Sequence, residues 1–161
     1  MAMNIRITAA GRLKERYWRD AVSEYEKRLG RYCSLSIAEV PDERTPDQPS
    51  EHERELILTK EGGRLLKQIP EDSLCIALAI GGKRFDSEGF SRYLKQQMDH
   101  GTSNITFVIG GSLGLSSEVL GRADLLLSFS DFTFPHQMMR VILLEQIYRS
   151  FRIMKNEPYH K

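Results

Sequence analysis

The residues best suited to chemistry lie in three loops, each of which follows an apolar segment. The first loop is Ile80-Gly81-Gly82-Lys83, the second is Gly110-Gly111-Ser112-Leu113-Gly114, and the third runs from Phe129 to Phe134. Glycines let a ligand approach the backbone closely, and aromatic side chains add apolar walls. Together the loops predict a pocket for a nucleoside, although each glycine pair alone also fits an ordinary tight turn.

A second group of reactive side chains, Tyr159, His160 and Lys161, lies at the C-terminus. Terminal residues are commonly mobile and without function. Here Pro158 stiffens the approach and Tyr159 offers an aromatic anchor, so we expect the segment to have a role. His136, in contrast, directly follows Pro135 at the predicted start of a helix, and we expect it to complete that helix start.

Familiar nucleotide-binding motifs do not match the glycine loops. The loop that begins at Gly110 is neither the dinucleotide fingerprint nor a P-loop, which would end in Gly-Lys-Ser or Gly-Lys-Thr. Asp131 follows it by about twenty residues, the offset at which an acid meets a ribose in dinucleotide-binding folds. A nucleotide-binding oxidoreductase-like enzyme therefore stays open as an alternative, although little chain remains for the second half of such a fold.

Length and composition are typical of one globular domain, and we expect residues 1–161 to form it. The chain has 161 residues, of which 40% are hydrophobic and 28% are charged. No apolar run is long enough to cross a bilayer, and the N-terminus lacks a signal pattern. Cys33 and Cys75 are the two cysteines and suit a reducing compartment. We therefore expect a cytoplasmic protein with no membrane segment and no metal.

Positive charge is concentrated at the two ends of the chain, although the net charge is only +1. Residues 1–33 hold eight Lys and Arg against four Asp and Glu, and residues 135–161 hold five against two. Residues 39–61 hold eight acids against three bases. A basic face would suit a polyanion such as nucleic acid, which keeps a non-enzymatic binding module open as an alternative. The same charges could also simply solvate helix faces.

Strand and helix patterns alternate along the chain and predict an α/β domain with a mainly parallel sheet and helices on both faces. Because three of the strand patterns are continuously apolar, we expect those strands to be buried on both sides. Ser50 and Glu53 have the spacing of a helix capping box. The predicted strands are Asn4 to Ala9, Leu35 to Val40, Leu74 to Ile80, Ile105 to Ile109 and Leu125 to Phe129. The predicted helices are Lys14 to Leu29, Ser50 to Gln68, Ser87 to Gln97, Ser116 to Arg122 and a last one between Pro135 and Pro158.

The last predicted helix is apolar over far more than one face. Pro135 suits its first turn, because a helix leaves that N–H without a partner, and Pro158 marks where it has already ended. Such a helix needs two surfaces to pack against. We expect one to be the sheet and the other a second protomer, with full burial inside a monomer as the alternative.

At these positions the chain resembles the RlmH family of 23S ribosomal RNA methyltransferases in the SPOUT superfamily. The resemblance spans the whole chain, and it includes the N-terminal segments Lys14 to Trp18 and Glu24 to Leu29. Its other motifs are Phe107-Val108-Ile109-Gly110-Gly111 with Gly114-Leu115, Leu127-Ser128-Phe129-Ser130, Thr133-Phe134-Pro135-His136 with Arg140-Val141, Glu145-Gln146-Ile147-Tyr148-Arg149, and Pro158-Tyr159-His160-Lys161.

The resemblance implies a deep C-terminal trefoil knot and a homodimer whose active site is completed across the interface. It also implies binding of S-adenosylmethionine in a bent form, and methylation of N3 of a pseudouridine in 23S ribosomal RNA of the assembled ribosome, with no DNA partner. Carried over by position, the cofactor contacts are Leu78, Gly110, Phe129, Ser130, Asp131, Phe132, Thr133 and Phe134.

The resemblance also suggests roles for four residues in the reaction. His160 is the candidate base for the N3 proton, since imidazole titrates near neutrality. Tyr159 would position or stack on the target base. Lys161 or Arg140 would stabilise developing negative charge or hold phosphate.

Overall fold

Strand and helix alternate from one end of the chain to the other in the computed structural model, which describes residues 2–159. The strands are β1 (Met3–Ala10), β2 (Cys33–Val40), β3 (Leu74–Arg84), β4 (Asn104–Ile109) and β5 (Leu125–Ser128), and the helices are α1 (Arg16–Leu29), α2 (Glu51–Leu66), α3 (Ser87–Asp99), α4 (Ser117–Arg122) and α5 (His136–Met154). Each of the ten predicted elements is present, with ends that differ by a few residues.

The five strands form one sheet in the order β2-β1-β4-β3-β5, and every pairing is parallel. This confirms the predicted α/β class. In β4, Phe107 packs with α1, α3 and α5 on one face, whereas its neighbour Val108 packs with α2 and α4 on the other. Alternate strand residues thus bury opposite faces, which explains the continuously apolar pattern.

Side-chain caps fix the starts of three helices. Ser50 accepts from the Glu53 N–H while the Glu53 carboxylate accepts from the Ser50 N–H, so the predicted capping box is confirmed. The Asp86 carboxylate caps α3, and the Ser116 hydroxyl caps α4. Because these caps accept from N–H groups in the first turn, they fix the residue at which each helix begins.

Gly62 lies inside α2 because α4 approaches it too closely for a side chain. A Cβ at this position would lie 2.3 Å from the Ser116 hydroxyl oxygen. The glycine therefore weakens the helix locally but allows α2 and α4 to pack on the same face of the sheet.

Pro135 is the N-cap of α5 rather than its first helical residue. Leu143, Leu144, Ile147 and Phe151 are buried in the core on one side of the helix. On the other side, Val141 and Tyr148 are half buried and pack against the same core, whereas Met138 and Ile142 are half buried outside both core clusters. Across residues 2–159, no helix combines the length and apolarity needed to traverse a bilayer.

Candidate ligand site at the carboxyl ends of three strands

The C-terminal part of β3 and the loops after β4 and β5 converge on one pocket of about 650 Å³. Such a volume lies within the range of small-molecule sites, and the position matches the general rule for parallel sheets. Predominantly apolar groups line it, namely Leu78, Ala79, Ile80, Ile109, Gly110, Gly111, Ser112, Gly114, Leu115, Leu120, Leu127, Ser128, Phe129, Ser130, Phe132, Thr133, Phe134, Pro135, His136 and Met139.

The end of β3 leaves the sheet and returns to it at the pocket mouth. Leu127 of β5 pairs with both Leu78 and Lys83, so the intervening residues form an excursion between two points of the ladder. Strand β3 therefore runs to Arg84 and not, as the sequence predicted, only to Ile80. Gly82 makes the return possible, since a Cβ there would lie 2.6 Å from the Leu126 carbonyl.

The loop after β4 is a tight turn that also forms a wall of the pocket. The Gly114 N–H donates to the Gly111 carbonyl at 3.1 Å, and Gly114 has a φ of +88°, which favours glycine. A Cβ on Gly110 would lie 2.3 Å from the Gly114 carbonyl oxygen. The same glycines therefore form a tight turn and line the pocket.

Two serines shape the loop after β5. The Ser128 hydroxyl donates to the Ser130 carbonyl at 3.2 Å, and the Ser130 hydroxyl accepts from the Phe132 N–H at 3.0 Å. Phe132 lies on the pocket rim with 78% of its surface exposed. Asp131, in contrast, is absent from the lining and pairs with Arg84 at the exposed surface, 3.1 Å away.

His136 lines the pocket at the start of α5, which sequence reasoning did not include in the site. Its imidazole lies against Gly11, where an added Cβ would be 3.1 Å from Cε1, and Nδ1 is buried without a hydrogen-bond partner among residues 2–159. Burial and then the Arg140 charge lower the pKa of His136, against opposing effects of Asp42 and Glu15. The sequence signal was its place directly after Phe134-Pro135.

Arg140 lies behind the pocket and is buried, with 1% of its surface exposed. Its guanidinium pairs with Glu39 and donates to the Gly11 carbonyl at 3.3 Å. The same Glu39 oxygen accepts from the Leu13 N–H at 3.1 Å. The arginine therefore joins α5 to β2 and to the loop after β1, and its charge is already paired.

Tyr159, the last residue that the structure describes, is anchored to the middle of α5. The Tyr159 hydroxyl donates to Glu145 at 2.9 Å, and the Arg149 guanidinium lies 4.6 Å from the Tyr159 ring centroid. Burial, followed by the hydrogen bond and charge of Glu145, raises the pKa of Tyr159 to about 12. The hydroxyl is therefore a hydrogen-bond donor at neutral pH.

Within one chain, Tyr159 and the pocket lie at different places along α5. Glu145, which holds Tyr159, is six residues beyond Met139, the last residue of α5 in the pocket lining, or about 9 Å along a helix axis. The predicted residues His160 and Lys161 lie outside the described residues. A single chain thus gathers the expected cofactor residues, except Asp131, but does not bring Tyr159 to them.

Comparisons with known proteins find one protein family, and the matches cover nearly the whole chain. A family model described as a predicted SPOUT methyltransferase matches residues 3–160. The chain is 57% identical over 159 residues to the ribosomal RNA large subunit methyltransferase H of Clostridium perfringens strain 13, and the match covers 99% of this chain and 100% of that protein. The protein of the same name from Clostridium beijerinckii is 55% identical with equal coverage.

A solved structure shares the fold at low sequence identity. It is that of a probable methylase family protein from Haemophilus influenzae Rd KW20, with a TM-score of 0.55 and 15% identity. The match covers 100% of this chain and 72% of that one. At this identity the likeness concerns the fold alone.

Proposed function

The chain belongs to the SPOUT methyltransferase family, and we propose on that basis that it methylates 23S ribosomal RNA with S-adenosylmethionine as methyl donor. The acceptor we propose is N3 of a pseudouridine in the assembled ribosome. Membership of the family implies a trefoil knot in the C-terminal part of the chain. One observation carries the proposal for the site: the ends of β3, β4 and β5 converge on a single apolar pocket.

The lining of this pocket suits S-adenosylmethionine. Leu78, Leu115 and Phe134 supply apolar surface, and Gly110, Gly111 and Gly114 bring backbone without side chains to the lining. We assign the donor contacts to Leu78, Gly110, Phe129, Ser130, Phe132, Thr133 and Phe134. Asp131 fits this assignment less directly, because its carboxylate faces Arg84 at the surface.

Bound S-adenosylmethionine supplies an electrophilic methyl group on a sulfonium centre. The residues of the chain then have two tasks. They hold the nucleophilic nitrogen in line with that methyl group, and they remove its proton and stabilise the anion that develops. Proximity and orientation can supply roughly 7 to 11 kcal/mol at most. His160 is the proposed base, Tyr159 the residue that positions the target, and Lys161 the charge that stabilises the developing anion.

The placement of Tyr159 along α5 supports an active site built from two protomers. Tyr159 is held at Glu145, about 1.7 turns beyond Met139, where the pocket lining on α5 ends, whereas the half-buried Met138 and Ile142 offer an apolar surface to a second copy. In a two-fold homodimer, each tail would reach the pocket of the partner. Arg140 would act from behind the pocket by fixing the start of α5.

Labelled methyl transfer from S-adenosylmethionine to ribosomes tests the proposal directly. We expect incorporation into 23S RNA, with ribosomes as a better substrate than protein-free RNA. Binding to ribosomes without incorporation would instead favour the non-enzymatic module. Calorimetric titrations with S-adenosylmethionine and with NAD distinguish the methyltransferase from the oxidoreductase-like alternative, because only the alternative requires the chain to bind NAD.

A further inference from the structure

Glu61 of α2 is a buried carboxyl group directly behind the glycine turn of the pocket. Only 3% of its surface is exposed. A Cβ added to Gly111 would lie 3.0 Å from one carboxyl oxygen of Glu61, Oε1, and 3.3 Å from the other, Oε2. The carboxyl group therefore lies beside Gly111, in a turn that lines the pocket.

The two oxygens of Glu61 have different surroundings. Oε2 accepts from the Glu43 N–H at 2.8 Å, whereas Oε1 is buried without a hydrogen-bond partner among residues 2–159. Burial raises the pKa of Glu61; the carboxylates of Asp42 and Glu43 add to the effect, while the Glu43 N–H and Arg64 oppose it. Burying such a group is costly, and α2 offers many exposed positions where an acid would cost nothing.

The segment that Glu61 holds is itself fastened to the glycine turn. Arg64, one turn further along α2, donates to the Pro41 carbonyl at 2.9 Å and pairs with Glu43 at 2.7 Å. Beyond Glu43, the Thr45 hydroxyl lies 3.0 Å from the Ser112 hydroxyl. Ser112 belongs to the pocket wall. We call residues 41–50 the strap. Glu61 thus contacts the strap at Glu43 and lies beside the turn at Gly111, and the strap itself meets the turn at Thr45 and Ser112.

We propose that Glu61 is a positioning residue that holds the Gly110–Gly114 turn and the strap in the arrangement that binds the methyl donor. It touches neither the donor nor the acceptor, and acts through Gly111 on one side and Glu43 on the other. The inference rests on the proposed function, because it assumes that this pocket binds S-adenosylmethionine.

Calorimetric titration with S-adenosylhomocysteine, the demethylated product, tests the inference without any turnover. We expect Glu61→Ala to weaken binding by at least about fivefold, the lower end of typical coupling between linked groups. Glu61→Gln keeps the shape and an acceptor for Glu43, so we expect it to bind within about twofold of the original chain. Ile57→Ala, one turn earlier in the same helix, is the control for loss of packing alone.

Three results would overturn the inference: unchanged affinity in Glu61→Ala, equal weakening in Glu61→Gln, or equal weakening in Ile57→Ala. Failure of the original chain to bind either S-adenosylmethionine or its product would instead refute the proposed function. The two failures are therefore distinguishable.

A double-mutant cycle keeps the inference testable if Glu61→Ala does not fold. Gly111→Ala pushes a methyl group against the Glu61 carboxyl, and Glu61→Asp withdraws that carboxyl by one methylene. We expect Gly111→Ala to weaken binding at least about fivefold in the original chain and clearly less in the Glu61→Asp background. Strictly additive effects would show that Glu61 does not act through Gly111.

Discussion

Arg140 of α5 and Glu39 of β2 form an ion pair whose two partners differ sharply in their access to water. The Arg140 side chain is 1% exposed, whereas that of Glu39 is 35% exposed. A carboxylate left alone at this position can be hydrated, but a guanidinium left alone remains buried. This asymmetry makes the two halves of the pair unequal in their effect on stability.

We expect Glu39→Ala to destabilise the fold more than Arg140→Met. The first change leaves a buried charge without its partner, which typically costs about 3 to 5 kcal/mol. The second removes the charge and keeps most of the apolar volume, so its cost should be about half as large or less. Urea unfolding measures the loss in free energy of unfolding for each of these two variants. Asp131→Ala, which breaks the exposed pair with Arg84, should cost at most about 1 kcal/mol and is the control. The reverse order of Glu39→Ala and Arg140→Met would contradict the asymmetry.

Gly110→Val should abolish most of the affinity for S-adenosylmethionine. Its Cβ would lie 2.3 Å from the Gly114 carbonyl oxygen, so the turn must open or shift into the pocket. We expect Kd to rise at least tenfold, or about 1.4 kcal/mol, by calorimetry. Gly63→Ala is the matched control, since a Cβ on Gly63 meets nothing within 4 Å. An unchanged Kd for Gly110→Val would show that the donor site is elsewhere.

The lowered pKa of His136 should make stability depend on pH in a predictable direction. The unfolded chain takes up this proton below a pH of about 6.5, the ordinary histidine value, whereas the folded chain takes it up only at lower pH. The unfolded state therefore binds more protons in that window, and the free energy of unfolding falls as the pH falls from 6.5. Urea unfolding between pH 7.5 and pH 5 should show a smaller fall for His136→Asn than for the original chain. Equal falls would mean that His136 titrates normally.

The C-terminal tail should be required for transfer but not for donor binding. A variant lacking residues 159–161 and the variant His160→Ala should both bind S-adenosylmethionine and lose most methyl transfer to ribosomes, because the proposed base is missing. Gly63→Ala, whose added methyl group meets nothing within 4 Å, again serves as the control for protein preparation and assay. Full activity in both variants would remove the tail from the mechanism.

Mixing two inactive variants decides whether tail and pocket come from different protomers. If they do, re-associated dimers of Gly110→Val and the tail-less chain contain one complete site, formed by the pocket of the tail-less protomer and the tail of the other. Random exchange makes half of the dimers mixed, so we expect about a quarter of full activity in the labelled-methyl assay. An active site built within one chain predicts no recovery.

Local sequence pattern determined the elements of this fold. The capping box of Ser50 and Glu53, the apolar runs of β3, β4 and β5, and Pro135 before α5 are each visible within a few residues and act over the same distance. The strand ends that formed the pocket were also predictable, because parallel strands end at one edge of a sheet.

Tertiary structure alone decided the partners of the buried charges and the position of Tyr159. Arg140 meets Glu39, and Glu61 meets Gly111, only because the strand order β2-β1-β4-β3-β5 and the placement of α2 bring distant segments together. Tyr159 follows the last residue of α5 by five residues, yet its hydrogen bond to Glu145 holds it beside the middle of that helix and not in the pocket of its own chain. Sequence pattern reports the local periodicity of the backbone, whereas such contacts depend on how whole elements pack, which no local pattern contains.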